Sequence, residues 1–465
     1  MLSRRRFFRS AGVFASLWAA GRPGAALAAA SARPLVRDPR RLIDLPPGFS
    51  YRVVSRRGDR MSDGYRVPAC PDAMGVFEHE GALVLMRNHE VVPLDRDSGP
   101  YPPGRTPPRE AYDPDGYGGV TRLCFDPHTL ALRSSNLALC GTHWNCAGGL
   151  SPWGWLSCEE IFMPNHGYVF LCSSESAQLM AARRIPGYGH FRHEAACVDP
   201  RTHIAYLTED REDAAFYRFV PEQMHRPFEG KLQALRVREL SGFDTNRMSA
   251  GESFEVDWVE VREPDSRNDD VRLQAQARGA ARFVRTEGLW LGARELYFCA
   301  TSGGPIGRGQ IFRLALGAAG APDRLTLLVQ TSDTSVLDMP DNITVSPHGQ
   351  LFVAEDGIEG NYLRCITRQG EVLDFARNAR SASEFAGPCF APDGRTLFVN
   401  LQRDGLTLAI QGPFEAEREA AARHAQVPDA FPTPPGVAGL STGVAVLALA
   451  ALARRKRPEA CPPNP

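Results

Sequence analysis

Acidic or amide side chains recur at one place in this sequence, directly after short apolar segments. Glu209 and Asp210 follow one such segment, Glu355 and Asp356 follow a second, and Asn400 ends a third. Carboxylates that a fold brings within a few ångströms repel one another, and a hard cation with oxygen ligands is the usual remedy. Any one of these acids alone would fit a solvated loop, but the repetition predicts a metal site where the segment ends converge.

A cysteine among acids is a further candidate ligand. Cys158 precedes Glu159 and Glu160, and neighbouring carboxylates disfavour a thiolate unless a cation is present. A metal is therefore the natural partner of Cys158. The other cysteines between the chain ends are scattered, form no CxxC pair and mostly have apolar neighbours, which indicates buried thiols rather than a zinc cluster or a dense disulfide scaffold.

The segments that would position these residues are short strands. Between residues 45 and 430 there is no convincing amphipathic helix, and β-branched or aromatic runs alternate with Gly, Pro and Asp turns. A unit of strand, Pro-containing turn and strand recurs at Pro200, Pro347 and Pro392, the last two separated by 45 residues, a blade-sized period. We therefore predict an all-β, six-bladed β-propeller with a metal site at its central channel. A β-sandwich or β-helix is the rival fold.

Composition excludes several functional classes. The 465 residues are 43% hydrophobic and 23% charged, which is typical of a folded protein and too polar for a multi-span membrane protein. A formal net charge of −1 gives no global attraction to nucleic acid. The sequence contains neither a phosphate-binding loop ending in Gly-Lys-Ser/Thr nor a Gly-x-Ser-x-Gly elbow, which argues against nucleotide hydrolysis and serine esterase chemistry.

Both chain ends are predicted to be targeting segments. Residues 1–28 combine paired arginines before Phe7 and Phe8 with an apolar stretch and a small-residue cleavage site, which indicates a twin-arginine export signal read by the export machinery, a plain secretory signal being the alternative. Residues 431–465 join a Pro-rich linker to an apolar span and a basic cluster. They predict a membrane anchor or a cleaved sorting tail, with a buried core helix as the alternative. The protein would thus be periplasmic or at the cell surface, with residues 33–430 forming the propeller.

About ten short motifs occur in a fixed order from about residue 45 to 414. They include Arg87-Asn88-His89-Glu90, Asn145-Cys146-Ala147-Gly148-Gly149, Cys158-Glu159-Glu160, Gly189-His190-Phe191, Thr208-Glu209-Asp210-Arg211, Arg285-Thr286-Glu287-Gly288, Pro340-Asp341-Asn342, Glu355-Asp356-Gly357 and Ser383-Glu384-Phe385-Ala386-Gly387. In this series the chain resembles the PhoX-type alkaline phosphatases, which are exported bacterial propeller enzymes. It is shorter than the larger members, so that loops at the substrate entrance are expected to differ.

The resemblance implies a set of cofactors and site residues. Members of that family use ferric iron and calcium, with a thiolate and carboxylates as ligands. Carried over, the thiolate falls on Cys158, further iron ligands fall on Glu209 and Glu287, and phosphate contacts fall on Asn145 and Arg285. Asn88 and Asn342 compete with Asn145 for the amide role. The calcium ligands would come from Glu90, Glu160, Glu194, Asp341, Glu355, Asp356 and Glu384.

The function implied by the resemblance is hydrolysis of small-molecule phosphate monoesters outside the cytoplasm. Arg285 offers a planar fork for phosphate, and the chain has only two lysines that could act instead. Without residues 1–28 and 437–465 the chain has 44 basic and 53 acidic residues, so that an acidic domain would need bound cations to attract a phosphate. Two alternatives remain open: another metal-dependent propeller hydrolase, such as a calcium lactonase, and a non-catalytic exported propeller that binds a partner.

Overall fold

The computed structural model describes residues 34–101, 104–318, 320–358 and 360–414. Within them the chain forms strands almost throughout, and its one α-helix is α1 (Val271–Gln276). The predicted export signal at residues 1–28 and the predicted linker and tail at residues 431–465 lie outside the described residues. In the described part, no helix is long and apolar enough to cross a membrane.

The strands run mostly as antiparallel meanders, in which neighbours along the chain are neighbours in a sheet. Those of the first half are β1 (Ile43–Asp44), β2 (Ser50–Arg56), β3 (Pro71–His79), β4 (Ala82–His89), β5 (Gly118–Phe125), β6 (Leu132–Thr142), β7 (Asn145–Ser151), β8 (Gly154–Glu159), β9 (Val169–Cys172), β10 (His193–Val198), β11 (Ala205–Glu209) and β12 (Tyr217–Pro221). Those of the second half are β13 (Gly230–Val237), β14 (Ser253–Glu260), β15 (Thr286–Leu291), β16 (Glu295–Ala300), β17 (Gln310–Ala315), β18 (Asp323–Gln330), β19 (Pro340–Val345), β20 (Leu351–Glu355), β21 (Tyr362–Ile366), β22 (Val372–Asn378), β23 (Phe385–Phe390), β24 (Thr396–Leu401) and β25 (Leu406–Gln411).

The N-terminal strands complete sheets built from the C-terminal part of the chain. Strand β2 pairs with β25, from Ser50 opposite Gln411 to Arg56 opposite Leu406, and β1 pairs with β22. Joining the first strand of a repeating sheet to the last removes the open edges that such a sheet would otherwise expose.

The first strands of the meanders, β3, β7, β10, β15, β19 and β23, pack beside one another in a closed ring. The prediction of an all-β, propeller-like fold is therefore confirmed. The predicted count of six separate blades is wrong, because the described strands form four sheets of four or more strands and a fifth sheet of three. The reason is β14, which pairs with β13 on one side and with β18 on the other and so joins two meanders into one nine-stranded sheet.

Aromatic side chains fill the space between the two meanders that β14 joins. Phe298 stacks on Phe216 with ring centroids 4.4 Å apart and on Phe312 at 5.1 Å, and Phe283 meets Phe298 edge-on. All four rings are fully buried. Burial of each such ring stabilises the fold by about 1.5–3 kcal/mol, and the resulting walls keep the inner strands fixed.

The first two strands of each meander form a hairpin, which we call the inner hairpin. The strand pairing of every inner hairpin is interrupted at the same place. The pairing register shifts near the start of the first strand, between residues 71 and 74, 145 and 148, 193 and 196, 286 and 289, 340 and 343, and 386 and 389. Such β-bulges bend a strand and re-aim the side chains beside it. The fold therefore repeats a device for redirecting one side chain in each meander.

Candidate metal centre and active site

The inner hairpins position two sets of polar side chains. The bulge set follows the residue at which each bulge begins, and consists of Asp72, Cys146, Glu194, Glu287 and Asp341. The strand-end set comes directly after the second strand of a meander, and consists of Glu90, Glu160, Asp210, Asp356 and Gln402. In the hairpin of β10 and β11, for example, His193 pairs with Glu209, so that the next residues, Glu194 and Asp210, lie at the same end of the ring.

The two sets meet around the same space. Ligand atoms of Cys146, Glu160 and Glu194 lie within 4.8 Å of one another, and so do those of Glu194, Glu287 and Asp341. Glu194 belongs to both groups and thus connects them into one cluster. We call this cluster, with the remaining acids of both sets and Glu384, the channel cluster.

Gln402 links two more acids of the channel cluster. Its amide Nε2 donates to Asp72 Oδ2 at 2.8 Å and to Glu90 Oε2 at 2.6 Å. The other oxygen of the Asp72 carboxylate, Oδ1, is buried and has no hydrogen-bond partner among the described residues. A buried carboxylate oxygen without a donor is costly, at roughly 1–3 kcal/mol, so that this atom indicates a missing positive partner.

The channel carboxylates raise one another's pKa. For Glu194 burial is the largest cause, followed by the charges of Glu287, Glu160 and Asp341. Burial and the charges of neighbouring acids likewise raise the pKa of Asp72. With protein groups alone, it is therefore unfavourable to ionise all of these carboxylates together.

Arg285 is the arginine that contacts the channel cluster most closely. Its Nε and Nη2 bind the two oxygens of Asp210 at 2.8 and 3.1 Å, and Nη2 lies 2.5 Å from Glu287 Oε1. Burial works to lower the pKa of Arg285, but the charges of Glu287 and Asp210 outweigh it and raise that pKa above its usual value. The backbone of Arg285 has φ of 50°, a conformation that is uncommon for residues other than glycine and is often found at functional sites.

The structure brings together most of the residues singled out from the sequence. Seven of the predicted ligands belong to the channel cluster, and Arg285 joins them. These seven are Glu90, Glu160, Glu194, Glu287, Asp341, Asp356 and Glu384.

Cys158 does not reach the channel cluster. Its side chain lies in an apolar cluster with Leu156 and Val169, and burial alone raises the pKa of its thiol. Because side chains alternate along β8, Cys158 faces the same sheet interior as Leu156. Cys146 occupies the predicted position of the thiol instead, and the charges of Glu194 and Glu160 add to burial in raising its pKa.

Glu209 and Glu355 also lie away from the channel cluster. Each is the last residue of its strand and faces protein donors: Glu209 accepts a hydrogen bond from Tyr217 at 2.7 Å, and Glu355 binds Arg364 at 2.7 Å. Burial raises the pKa of each to about 7, and these partners act in the opposite direction. At these two places the next residue, Asp210 or Asp356, belongs to the channel cluster instead. Consecutive side chains of a strand point to opposite faces.

The three asparagines considered for phosphate binding are engaged by the protein. Asn145 accepts from Thr142 Oγ1 at 2.6 Å and donates to Ser157 Oγ at 2.9 Å. Asn88 donates to the Ala147 carbonyl at 2.6 Å, and Asn342 donates to Asp341 Oδ1 at 3.0 Å. Asn145 therefore supports the start of β7, which carries Cys146, rather than offering a free amide.

Sequence reasoning missed Asp72 and Cys146 as site residues, and it placed Asp210 at the predicted metal site without assigning it as a ligand. The signal for Asp210 was present, since it occupies the same position after a strand as Asp356. The signal for Asp72 and Cys146 was weaker, because the bulges that re-aim them leave no distinct pattern in the sequence.

The donors of the channel cluster fit the ions that the resemblance implies. Many carboxylate oxygens around one space are the ligands that Ca²⁺ prefers. The sulfur of Cys146 between Glu160 and Glu194 supplies a mixed sulfur and oxygen set suited to a transition ion such as iron. The unpartnered Asp72 Oδ1 is consistent with a cation as the missing partner.

Comparison with known families decides the relationship. The family model of alkaline phosphatase PhoX matches residues 30–126 and 128–405, which is most of the chain. The chain belongs to the PhoX family. No curated protein matches the sequence significantly.

Solved structures with similar folds are distant from this PhoX family member. A gluconolactonase from Xanthomonas campestris is 12% identical, with a TM-score of 0.42 and coverage of 79% of this chain and 99% of that chain. A periplasmic gluconolactonase from Pseudomonas aeruginosa is 14% identical, with a TM-score of 0.40 and coverage of 77% and 90%. At these TM-scores the likeness indicates neither the substrate nor the reaction of this chain.

Proposed function

We propose that this PhoX family member is a metal-dependent phosphomonoesterase that holds ferric iron and calcium in the channel cluster. The observation that carries the proposal is the convergence of buried carboxylates, one thiol and Arg285 at one end of the ring. Small-molecule phosphate esters would be the substrates. Bound cations would neutralise the phosphoryl oxygens and activate water for attack on phosphorus.

The ligand roles can be divided by donor chemistry. Cys146, Glu160 and Glu194 are the set we assign to iron, because only this set contains sulfur. The carboxylates of Asp72, Glu90, Asp341, Asp356 and Glu384 are the set we assign to calcium. Glu287 lies between the two sets, near Glu194 and Asp341.

Arg285 would bind the substrate phosphate. Its planar guanidinium matches the oxygens of a phosphate, and its side chain is 24% exposed, so that it is accessible from solvent. Asp210 holds Nε and Nη2 in position, which orients the guanidinium before substrate arrives. The positive charge of Arg285 would attract the substrate phosphate into a domain whose net charge is negative.

Hydrolysis of an aryl phosphate by the full chain, loaded with Fe³⁺ and Ca²⁺, tests this proposal. We expect Arg285→Ala to lower kcat/KM about 10²–10³-fold, the usual effect of removing a preorganised charge-stabilising donor. Arg324→Ala is the matched control, since Arg324 is 51% exposed and pairs with Glu255 on the neighbouring strand β14, outside the channel cluster. Full activity in Arg285→Ala, absence of iron and calcium from active protein, or faster hydrolysis of an aryl lactone would contradict the proposal.

We also propose that the protein acts outside the cytoplasm. The support is the sequence of residues 1–28, with paired arginines before two phenylalanines, and the apolar and basic tail of residues 437–457. Fractionation of cells expressing the chain with an epitope before residue 430 and another at the C-terminus would test export and retention of the tail. Recovery of the first epitope only in the cytoplasm would contradict export.

A further inference from the structure

A second group of potential ligands lies on the other side of strand β8 from the channel cluster. Ring nitrogens of His143 and His166 and a carboxylate oxygen of Asp113 lie within 4.8 Å of one another. The three residues come from three connections: Asp113 precedes β5, His143 lies between β6 and β7, and His166 lies between β8 and β9. The carboxylate of Asp113 is 36% exposed, which opens the group to solvent.

Glu159 supports this group from behind. Its carboxylate is fully buried and accepts from His166 Nδ1 at 2.7 Å, from the His143 backbone N–H at 3.0 Å and from the Gly167 N–H at 2.8 Å. A carboxylate that binds one nitrogen of a histidine fixes the orientation of the ring and leaves the other nitrogen for a ligand. Glu159 thus directs His166 Nε2 toward Asp113.

The spacing of the donors suits a small divalent ion. Two ligands at about 2 Å from a tetrahedral Zn²⁺ are separated by about 3.3 Å. His166 Nε2 and Asp113 Oδ2 lie 3.2 Å apart and form a hydrogen bond, which a bound ion would replace. The ring centroids of His143 and His166 are 4.5 Å apart, so that both imidazoles face the same region.

His143 supplies an independent sign that the group lacks a ligand. Only 5% of the surface of His143 is accessible to solvent, and its Nδ1 has no hydrogen-bond partner among the described residues. A buried polar nitrogen without a partner calls for a specific explanation. A metal ion bound by imidazole nitrogen would provide one.

We propose that His143, His166 and Asp113 form a binding site for a zinc-type divalent transition ion, separate from the channel cluster. Two imidazoles and one carboxylate are a donor set that Zn²⁺ and similar first-row ions prefer, whereas Ca²⁺ takes oxygen ligands. The bound ion would tie three connections to strand β8. The site does not depend on phosphatase activity.

Zinc binding to the full chain tests this site directly. After chelation, the protein is saturated with Ca²⁺ and then titrated with Zn²⁺, and zinc content is measured after desalting. We expect His166→Ala and His143→Gln each to lose about one zinc equivalent. His225→Ala, which changes an exposed histidine, should retain the zinc content of the unchanged chain. Equal zinc content in all of these proteins would overturn the proposal.

A measurement on the unchanged chain covers the case in which a variant fails to fold. Zinc X-ray absorption at less than one equivalent of Zn²⁺ should show scattering from two imidazoles. A spectrum with only oxygen and sulfur ligands would mean that zinc enters the channel cluster alone, and would overturn the proposed site.

Discussion

Two rows of buried acids run side by side in this protein, often as consecutive residues, and they differ in what surrounds them. The outer row consists of Glu209 and Glu355. Glu355 accepts hydrogen bonds from Arg364 at 2.7 Å and from the backbone N–H groups of Asp338 and Tyr362 at 2.9 and 3.2 Å. In the channel cluster, the next residue, Asp356, lies near Glu384 and other carboxylates that it cannot bind when all are ionised.

The difference in surroundings gives the two rows different roles, since the outer row stabilises the fold and the channel cluster supplies candidate metal ligands. Each acid of the outer row has a close donor from the protein itself, Tyr217 for Glu209 and Arg364 for Glu355. The acids of the channel cluster have Gln402, Asn342 and Arg285 but few donors for their number. Bound cations would stabilise such an arrangement. Burial alone therefore does not identify a ligand, whereas several buried carboxylates around one space with few donors do.

The largest expected effect comes from breaking the outer row. Arg364→Ala would leave Glu355 as a buried carboxylate without its cation, and should lower the free energy of unfolding by about 3–5 kcal/mol. Urea denaturation followed by tryptophan fluorescence would measure this change. Arg324→Ala, at an exposed ion pair, should change it by less than about 1 kcal/mol. Similar values for the two variants would show that the outer row does not stabilise the fold.

A smaller effect is expected at the other outer acid. Tyr217→Phe removes the 2.7 Å hydrogen bond to Glu209 and should lower the free energy of unfolding by about 1–3 kcal/mol at pH 8. Burial raises the pKa of Glu209 from 4.5 to about 7, so that the stability linked to its protonation is present below pH 4.5 and is lost as pH rises through 7. The effect of Tyr217→Phe should therefore grow across this range, and a difference that does not change with pH would contradict this interpretation.

The sequence is sufficient to predict the hairpins and the acids that follow them. The apolar runs ending at Glu209, Glu355 and Asn400 correspond to β11, β20 and β24, and their repetition correctly indicated a ring of strands. The local pattern of apolar residues and turns determines these hairpins. Joining of two meanders through β14 depends on pairing between strands far apart in the sequence, and could not be predicted in this way.

The sequence is not sufficient to decide which residue of a pair faces the channel. Glu209 and Asp210 differ by one position, and only the point at which β11 ends makes Asp210 the channel residue. Cys146 and Cys158 are both in motifs of the family, but the bulge between Asn145 and Gly148 re-aims Cys146 while regular pairing keeps Cys158 in the apolar interior. Bulge and register are properties of the paired strands and not of either segment alone.

The smallest expected effect is that of Asp72→Asn on the free energy of unfolding, and its sign depends on whether metal is bound. Burial and the charge of Glu90 raise the pKa of Asp72 above 3.8. The contribution of the protonated Asp72 side chain to stability is therefore present below pH 3.8 and is lost as pH rises. In metal-free protein at pH 8, Asp72→Asn should therefore raise the free energy of unfolding, because it removes one charge from a group of carboxylates that repel one another. With saturating Ca²⁺ the same variant should be less stable than the unchanged chain, since it lacks a ligand. Asp257→Asn, at a surface pair with Arg236, should behave alike in both conditions. If Asp72→Asn were less stable without metal as well, Asp72 would belong with the outer row, and the contrast between the two rows would fail.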